Sequence, residues 1–177
     1  MEKALFLDRD GIINVDKGYI HKKEDVEFVD GIFDLCSLAK ERGYHIFVVT
    51  NQAGIDRGLY SHFHVDILHG WMKEQFRKRG VEISEMYYCP HHPEFSGPCE
   101  CRKPEPGMLL KAMEEYGIDA SASVMIGDKS GDVQAGKRAG VGLCILVSSR
   151  YVDDIPEEAD IVADSLAGVY EILRDRL

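Results

Sequence analysis

Short apolar runs alternate with amphipathic segments along this chain. Residues 4–7, 45–49 and 124–126 are nearly continuous apolar runs, as is usual for strands that are covered on both faces. We predict a weaker strand at 82–88 and further strands at 143–147 and 161–162. Each of the three continuous runs ends abruptly in polar residues, which makes the end of each strand clear.

Apolar residues recur at helical spacing between the predicted strands. The first helix is predicted to follow Asp30 as its N-cap and to stop at Gly43. Ser61 is predicted to cap a long helix that ends by Gly80. The apolar residues assigned to this long helix are Phe63, Ile67, Trp71 and Phe76. Three more helices are predicted: one opening at Pro106-Gly107 with Pro106 near its first position, one over 132–139, and one from Ser165.

This alternation predicts an α/β fold of the Rossmann-like, three-layer type. A mainly parallel sheet would carry helices on both faces, since crossover connections place them there. Residues 1–177 are expected to form one domain, and the short spacing between the polar motifs leaves no room for a large cap domain.

The composition and net charge of the chain limit the kinds of partner that it is expected to bind. The chain has 177 residues and a formal net charge of −10, and so acidic a surface argues against nucleic acid and anionic membranes as partners. No apolar run approaches the roughly 20 residues that span a bilayer. The first residues lead directly into a strand and do not resemble a signal peptide, so we expect a cytoplasmic protein. No apolar stripe is left over once the helices pack on the sheet, which predicts a monomer.

Polar residues follow three of the predicted buried strands. Asp8 and Asp10 follow the first, Thr50 and Asn51 the second, and Asp128 the strand at 124–126. Each alone has a simpler explanation: a surface turn for D-x-D-G, strand filling for Thr50, and a helix cap for Asp128. In parallel sheets ligands bind at the carboxyl edge, so the three segments are predicted to meet in one crevice. Carboxylates from separate loops are the hard oxygen ligands that Mg²⁺ uses.

A second metal is predicted from the spacing C-x-H-x7-C-x-C. Three thiols and one imidazole in a short loop suit a closed, tetrahedral, structural zinc site. The candidate ligands are Cys89, His91, Cys99 and Cys101, with His92 as an alternative to His91. Cys36 and Cys144 fall in predicted core elements and are expected to be small buried hydrophobes.

Together these motifs resemble the haloacid dehalogenase superfamily of phosphotransferases. The matching residues are Asp8-Arg9-Asp10-Gly11, Thr50, Lys103, and Gly127-Asp128 with Asp132. The resemblance implies that Asp8 is the nucleophile and Asp10 the general acid and base. It implies that Thr50 and Lys103 hold the phosphoryl oxygens, so that local cations offset the acidic surface. It also implies Mg²⁺ bound by Asp8, the backbone carbonyl of Asp10 and Asp128.

The zinc loop narrows the resemblance to the branch that contains heptose bisphosphate phosphatases and histidinol-phosphate phosphatases, and it favours His91 as the ligand. Most motifs look more like the heptose enzymes, whereas the seven-residue spacer is closer to the histidinol type. The implied substrate is a small phosphorylated sugar, with histidinol phosphate as the alternative and a non-catalytic, zinc-stabilised binding module as a third hypothesis. The implied substrate contacts are Asp16, Gly18, Tyr19, Asn51, Gln52, Arg102 and Lys103, with Lys129 as a further cation.

The remaining side chains are expected to have simpler roles. Tyr19 is suited equally to packing and to substrate contact. Most of the other histidines are expected to face solvent without a catalytic role; they are His21, His45, His62, His64 and His69.

Overall fold

A computed structural model of the chain describes residues 1–149 and 154–176. Its six strands form one sheet in the order β3-β2-β1-β4-β5-β6, and every neighbouring pair is parallel. The strands are β1 Lys3–Leu7, β2 Tyr44–Asn51, β3 Glu85–Cys89, β4 Val124–Gly127, β5 Leu143–Val147 and β6 Ile161–Ala163. The chain winds outward from β1 in one direction and then returns beside it at β4, as in doubly wound α/β folds.

Helices cover both faces of the sheet. They are α1 Ile32–Glu41, α2 His62–Arg77, α3 Pro93–Ser96, α4 Gly107–Tyr116, α5 Ser130–Arg138 and α6 Leu166–Arg176, with 3₁₀ turns at Lys23–Asp25 and Ala120–Ala122. In the part of the chain that the structure describes, no helix has the length and apolar character needed to cross a bilayer. The parallel sheet with helices on both faces confirms the prediction of a Rossmann-like, three-layer fold. The described connections between these elements contain no large cap domain.

Most strand residues are apolar because successive side chains enter two separate cores. On β1, Leu5 and Leu7 face the core beneath α1, α2 and α6. Ala4 and Phe6 face the core beneath α4 and α5. Covering both faces removes the polar alternation of a half-exposed strand. The buried positions of Cys36 and Cys144 in these two cores confirm their prediction as small hydrophobes.

Two predictions about helix termini need correction, and two are confirmed. Gly31, and not Asp30, is the N-cap of α1, and its positive φ of 89° is a backbone conformation that suits glycine. Pro106 lies near the first position of α4 as predicted, since it is the N-cap directly before Gly107. Helix α5 begins at Ser130, two residues before the predicted start, with Lys129 as N-cap. The Ser61 cap of α2 is confirmed, since its side chain accepts from the backbone N–H of His64.

The buried face of α2 differs from the predicted one. Phe63 and Ile67 are 69% and 55% exposed, so the stripe assigned to them was wrong. The residues that α2 buries are Val65, Leu68, His69, Met72 and Phe76. These positions also recur at helical spacing, and they share only Phe76 with the predicted set. The rotation of the helix turns His69 inward.

Candidate active site

Three buried carboxylates meet at the carboxyl edge of the sheet. Asp8 directly follows β1, and Asp128 directly follows the neighbouring strand β4, whose Ile126 pairs with Leu7. Asp132 lies in the first turn of α5. Oxygen atoms of the three acids lie within 4.8 Å of one another. The structure therefore brings together the acidic segments that sequence placed at the ends of separate strands.

A glycine permits the close approach of the two loops. Gly11 has a positive φ of 95°, and a Cβ atom built there would collide with the Asp128 carboxylate. The turn after β1 is closed by backbone bonds from Ile13 and Asn14 to the carbonyl of Arg9, at 2.8 and 3.2 Å. The D-x-D-G motif is thus a tight turn whose function is to bring Asp8 and Asp10 against the loop after β4.

Lys103 lies at the centre of the acid cluster. Its Nζ donates to Asp8 Oδ1 at 2.8 Å, to Asp132 Oδ1 at 2.6 Å and to the Val49 carbonyl at 2.7 Å, which uses all three of its protons. Burial alone would lower its pKa, but Asp132 and Asp8 outweigh that effect and hold the pKa above its ordinary value. The ammonium group is therefore a permanent positive charge against the carboxylate of Asp8.

One lysine does not balance three acids. Burial, together with the negative charge of Asp132, raises the pKa of Asp8 to about 6. Burial and the neighbouring Asp8 and Asp132 raise the pKa of Asp128 to about 8. Both shifts point the same way: the cluster has an excess of negative charge that the protein itself does not neutralise.

The acid cluster fits a hard divalent cation. Asp128 Oδ1 is buried, and among the described residues it has no hydrogen-bond partner, so this carboxylate oxygen is available to a metal ion. Both oxygens of Asp132 are already engaged, by Lys103 and by the backbone N–H groups of Asp128 and Lys129. Asp8 and Asp128 are therefore the better side-chain ligands for Mg²⁺. The Asp10 carbonyl as a third ligand remains a prediction.

Asp10 sits in a different electrostatic setting from Asp8. Its Oδ1 accepts from Arg9 Nη2 at 2.9 Å and from Asn14 Nδ2 at 3.0 Å, and its Oδ2 accepts from Gln52 Nε2 at 3.0 Å. Burial alone would raise the pKa of Asp10, but the Arg9 guanidinium and these hydrogen bonds outweigh it and lower the pKa. About a fifth of its side chain is exposed, on the side of the crevice.

The end of β2 supplies three neighbouring polar residues. Thr50 is buried, and its hydroxyl accepts from Gln52 Nε2 at 2.9 Å. Asn51 clamps the backbone of Lys103, accepting from its N–H at 3.0 Å and donating to its carbonyl at 3.2 Å. Gln52 is only 2% exposed, and its amide is bonded to protein groups on both sides. Substrate contacts by Asn51 and Gln52 remain predictions, whereas their contacts within the protein are direct.

A crevice of about 400 Å³ opens above Asp10. Most of the predicted substrate contacts line it, namely Asp16, Gly18, Tyr19, Asn51, Gln52, Arg102 and Lys129. Tyr19 is 50% exposed at the crevice, which argues against a packing role. Sequence reasoning did not place three polar lining residues at the crevice, Arg57, Tyr60 and His92. Cations from several loops therefore surround a site in an otherwise acidic protein.

The cysteine and histidine loop forms a compact cluster behind this crevice. The Sγ atoms of Cys89 and Cys101 each lie 3.7 Å from that of Cys99, and His91 Nδ1 lies 3.5 Å from Cys89 Sγ and 3.3 Å from Cys101 Sγ. Ligands about 2.3 Å from a tetrahedral ion are separated by nearly these distances, whereas the Sγ atoms of Cys89 and Cys101, 2.7 Å apart, would have to separate around the ion. His92 instead contacts Arg57 and the backbone of Glu94, so His91 is the histidine that fits zinc.

Burial raises the pKa of the Cys89 and Cys101 thiols, whereas the Cys99 thiol has a setting that suits a metal. Burial alone would raise the pKa of Cys99, but backbone N–H groups of Arg102 and Cys101 outweigh it and lower the pKa to about 7. Zinc binds the thiolate form of cysteine. The loop leads directly into Arg102 and Lys103, and Arg102 Nη1 donates to the His91 carbonyl at 3.2 Å. The zinc-fitting cluster thus supports both cations.

Two buried residues beside Asp10 were not predicted. Arg9 is fully buried, and its Nη1 lies 3.2 Å from His69 Nε2. The expectation that His69 faces solvent was wrong, because α2 turns this residue into the interior, where it is 5% exposed. The helical spacing of His69 with Val65, Met72 and Phe76 was the available signal. No local signal marks Arg9, because the family motif leaves its position variable.

A parallel α/β sheet with buried carboxylates, a lysine and a metal-fitting cluster at its carboxyl edge defines a metal-assisted hydrolase. Residues 100–169 match the HAD-hydrolase-like family model. The chain is 44% identical over 180 aligned residues to the D-glycero-beta-D-manno-heptose-1,7-bisphosphate 7-phosphatase of Yersinia pestis, covering 98% of this chain and 96% of that protein. The chain belongs to the haloacid dehalogenase-like hydrolases.

Two further comparisons agree. The D-glycero-alpha-D-manno-heptose-1,7-bisphosphate 7-phosphatase of Campylobacter jejuni is 50% identical over 148 residues, which are 84% of each chain. The crystal structure of D,D-heptose 1,7-bisphosphate phosphatase from B. bronchiseptica, complexed with magnesium and phosphate, matches with a TM-score of 0.86 and 28% identity over the whole of both chains. The similarity therefore extends over the sheet and over the site.

Proposed function

We propose that this chain removes the C7 phosphate from D-glycero-D-manno-heptose 1,7-bisphosphate, as a step in the synthesis of nucleotide-activated heptose. The observation that carries the chemistry is the buried pair of Asp8 and Lys103, 2.8 Å apart, whose chain neighbours Asp10 and Arg102 line the crevice. The names of the relatives in Yersinia pestis and Campylobacter jejuni support the choice of substrate. Arg102 and Lys129 in the crevice suit a substrate that carries a second phosphate.

In the first half of the reaction Asp8 attacks phosphorus. A bond forms between its carboxylate oxygen and phosphorus, the bond from phosphorus to the C7 oxygen breaks, and Asp10 gives its proton to the departing oxygen. Lys103 offsets the charge of Asp8 and of the phosphoryl oxygens. The Thr50 hydroxyl accepts from Gln52 and donates to the Asn51 carbonyl over a long 3.4 Å, and in the reaction its proton turns to a phosphoryl oxygen.

In the second half the phospho-aspartate on Asp8 is hydrolysed. Asp10, now ionised, takes a proton from a water molecule, whose oxygen attacks phosphorus and releases inorganic phosphate. The free carboxylate of Asp8 and the protonated Asp10 are regenerated. The donors around Asp10 favour its ionised form, which suits it to act as base in this half.

Two metals complete the proposal. Mg²⁺ held by Asp8, Asp128 and the carbonyl of Asp10 supplies positive charge between nucleophile and phosphate, which otherwise repel each other. Zn²⁺ held by Cys89, His91, Cys99 and Cys101 has a structural role, because four protein ligands leave no open position for catalysis.

We also propose a cytoplasmic monomer that acts as one domain and that does not bind nucleic acid or membranes. The acidic surface supports the last two points, since both kinds of partner require a positive footprint. One continuous sheet from β3 to β6 supports a single domain.

Phosphate release tests the assignment. We expect the highest kcat/KM with heptose 1,7-bisphosphate, and both C1 anomers are compared because relatives of both kinds are similar to this chain. Histidinol phosphate is the competing substrate. The Asp8→Asn variant is expected to lose at least about a thousandfold in kcat/KM. Preference for histidinol phosphate would overturn the substrate, and full activity of Asp8→Asn would overturn the nucleophile.

A further inference from the structure

The two oxygens of Asp10 have unequal surroundings. Oδ1 accepts three hydrogen bonds, from Arg9 Nε at 3.2 Å, from Arg9 Nη2 at 2.9 Å and from Asn14 Nδ2 at 3.0 Å. Oδ2 accepts one, from Gln52 Nε2 at 3.0 Å. A proton on Oδ1 would compete with three donors, whereas Oδ2 retains room for one. Oδ2 is therefore the atom that carries the transferred proton, and its direction depends on Arg9 and Gln52.

Arg9 is held in place by His69. The guanidinium is fully buried and donates to the Ile20 carbonyl at 2.8 Å as well as to Asp10, while its Nη1 lies 3.2 Å from His69 Nε2. Because arginine can only donate, His69 must accept at Nε2 and therefore be neutral. Burial and the nearby Arg9 lower the pKa of His69 to about 3, in agreement with that geometry. His69 thus fixes the plane of the Arg9 guanidinium, whose Nε and Nη2 bind Asp10 Oδ1.

Gln52 is held in place by Tyr60. The Tyr60 hydroxyl, which is buried with its ring, donates to Gln52 Oε1 at 2.6 Å. This bond sets the amide so that Nε2 faces both Asp10 Oδ2 and Thr50 Oγ1. A flipped amide would place Oε1 against the Asp10 carboxylate, which repels it. Burial raises the pKa of Tyr60 to about 12, so the phenol keeps the proton that it donates.

We propose that His69 and Tyr60 are positioning residues for the proton transfer by Asp10, His69 acting through Arg9 and Tyr60 acting through Gln52. This inference rests on the proposed phosphatase function and assigns two roles within it. Together the two residues select Oδ2 as the proton-carrying oxygen and aim it into the crevice.

The leaving group separates this role from a structural one. Without a proton from Asp10, the C7 oxygen of the heptose would have to depart as a strongly basic alkoxide. The much less basic p-nitrophenolate departs without a proton. The measured quantity is kcat/KM, which reports the transfer of phosphate to Asp8 for both substrates. A defect in the fold would lower both values equally.

The variants are Tyr60→Phe, His69→Leu and His69→Gln, with Asp10→Asn as the benchmark. Tyr60→Phe and His69→Leu are expected to lower kcat/KM for heptose bisphosphate by about ten- to a hundredfold, and for p-nitrophenyl phosphate by less than about threefold. His69→Gln is expected to recover most of the loss, because its Oε1 can accept from Arg9. Tyr116→Phe is the matched control, since its hydroxyl donates to the Ser84 carbonyl at the opposite edge of the sheet.

Each outcome of this kinetic comparison either supports or overturns the positioning roles of His69 and Tyr60. Equal losses with both substrates in a variant that melts like the wild type, or no recovery in His69→Gln, would overturn the positioning roles while the phosphatase function stands. No Asp8-dependent activity of the wild type toward either compound would overturn the proposed function and the positioning roles with it. If His69→Leu does not fold, Tyr60→Phe decides, because it removes a single oxygen atom.

Discussion

Asp8 and Asp10, to which we assign the catalytic roles, lie two residues apart, yet their surroundings are opposite. Around Asp8 the carboxylates outnumber the cations, so its pKa is raised to about 6 and that of Asp128 to about 8. Around Asp10 donors surround the carboxylate, and its pKa is lowered although burial opposes this. The side of Asp8 is thus electrostatically incomplete without a metal, whereas the side of Asp10 is completed by the protein. One turn after β1 serves both because the chain leaves the extended strand there, so side chains two residues apart no longer face the same way.

The strongest test of this contrast is Asp128→Asn, which affects the incomplete side alone. We expect kcat/KM to fall at least about a thousandfold at saturating Mg²⁺, because the variant lacks one ligand of the metal ion. That ion offsets the negative charges of the nucleophile and the phosphate. The thermal stability of the metal-free protein should stay equal or rise, since one of three mutually repelling carboxylates is gone. Added Mg²⁺ should stabilise the wild type and not the variant.

Its matched control is Asp34→Asn, which removes an exposed carboxylate from α1 at a distance from the site. Phosphate release and thermal melting with and without Mg²⁺ give the measurements. A variant at Asp128 that keeps the Mg²⁺-dependent melting shift would show that the metal does not need this carboxylate, and the incomplete side would then need another explanation.

The zinc loop offers the next largest effect. Cys101→Ala removes a ligand, and we expect the bound zinc to be lost and the free energy of unfolding to fall by at least about 3 kcal/mol. Activity should fall as well, because Lys103 lies two residues beyond Cys101 and bonds directly to Asp8. The ratio of kcat/KM between heptose bisphosphate and p-nitrophenyl phosphate should stay unchanged, because the donors to the Asp10 carboxylate are Arg9, Asn14 and Gln52, none of which belongs to this loop.

Cys36→Ala is the control for the zinc prediction, because Cys36 is buried in the core and is not part of the cluster. Elemental analysis and denaturant unfolding measure the two quantities. Equal zinc content in the two variants would contradict the structural zinc site. A change in the substrate ratio would contradict the separation between the two sides.

The sequence predicted the incomplete side better than the complete one. Asp8 and Asp128 could be predicted from the sequence because each follows an apolar run, and parallel strands end at a common edge. The zinc ligands could be predicted because they lie close together in the sequence. These signals are local in sequence, and only the pairing of two strands was needed to bring the acids together.

The support of Asp10 was hidden because it depends on the rotation of one helix. Histidine on an amphipathic helix faces solvent more often than it is buried, and α2 was assigned the wrong apolar face through Phe63 and Ile67. His69 meets Arg9 across 60 residues of sequence, so no local pattern links them. The cap of α1 was missed for a similar reason, because the left-handed Gly31 competes with the more usual Asp30.

The smallest predicted effect concerns the neutral state of His69 on the complete side. Its pKa is about 3 in the folded protein and near the ordinary 6.5 in the unfolded chain. Between these values the unfolded chain binds a proton that the folded protein excludes, so the stabilising effect is present above pH 6.5 and is lost as the pH falls. From pH 7 to pH 5 this residue should lower the free energy of unfolding by about 2 kcal/mol.

Denaturant unfolding at pH 7, 6 and 5 isolates this contribution when the wild type is compared with His69→Gln. The glutamine does not titrate and still offers an acceptor to Arg9, so the variant should lose less stability on acidification. The exposed His62→Gln change provides the control, and it should leave the pH dependence close to that of the wild type. A stability difference between wild type and His69→Gln that is constant with pH would mean that His69 does not stay neutral, and Arg9 would then lack the acceptor that orients it toward Asp10.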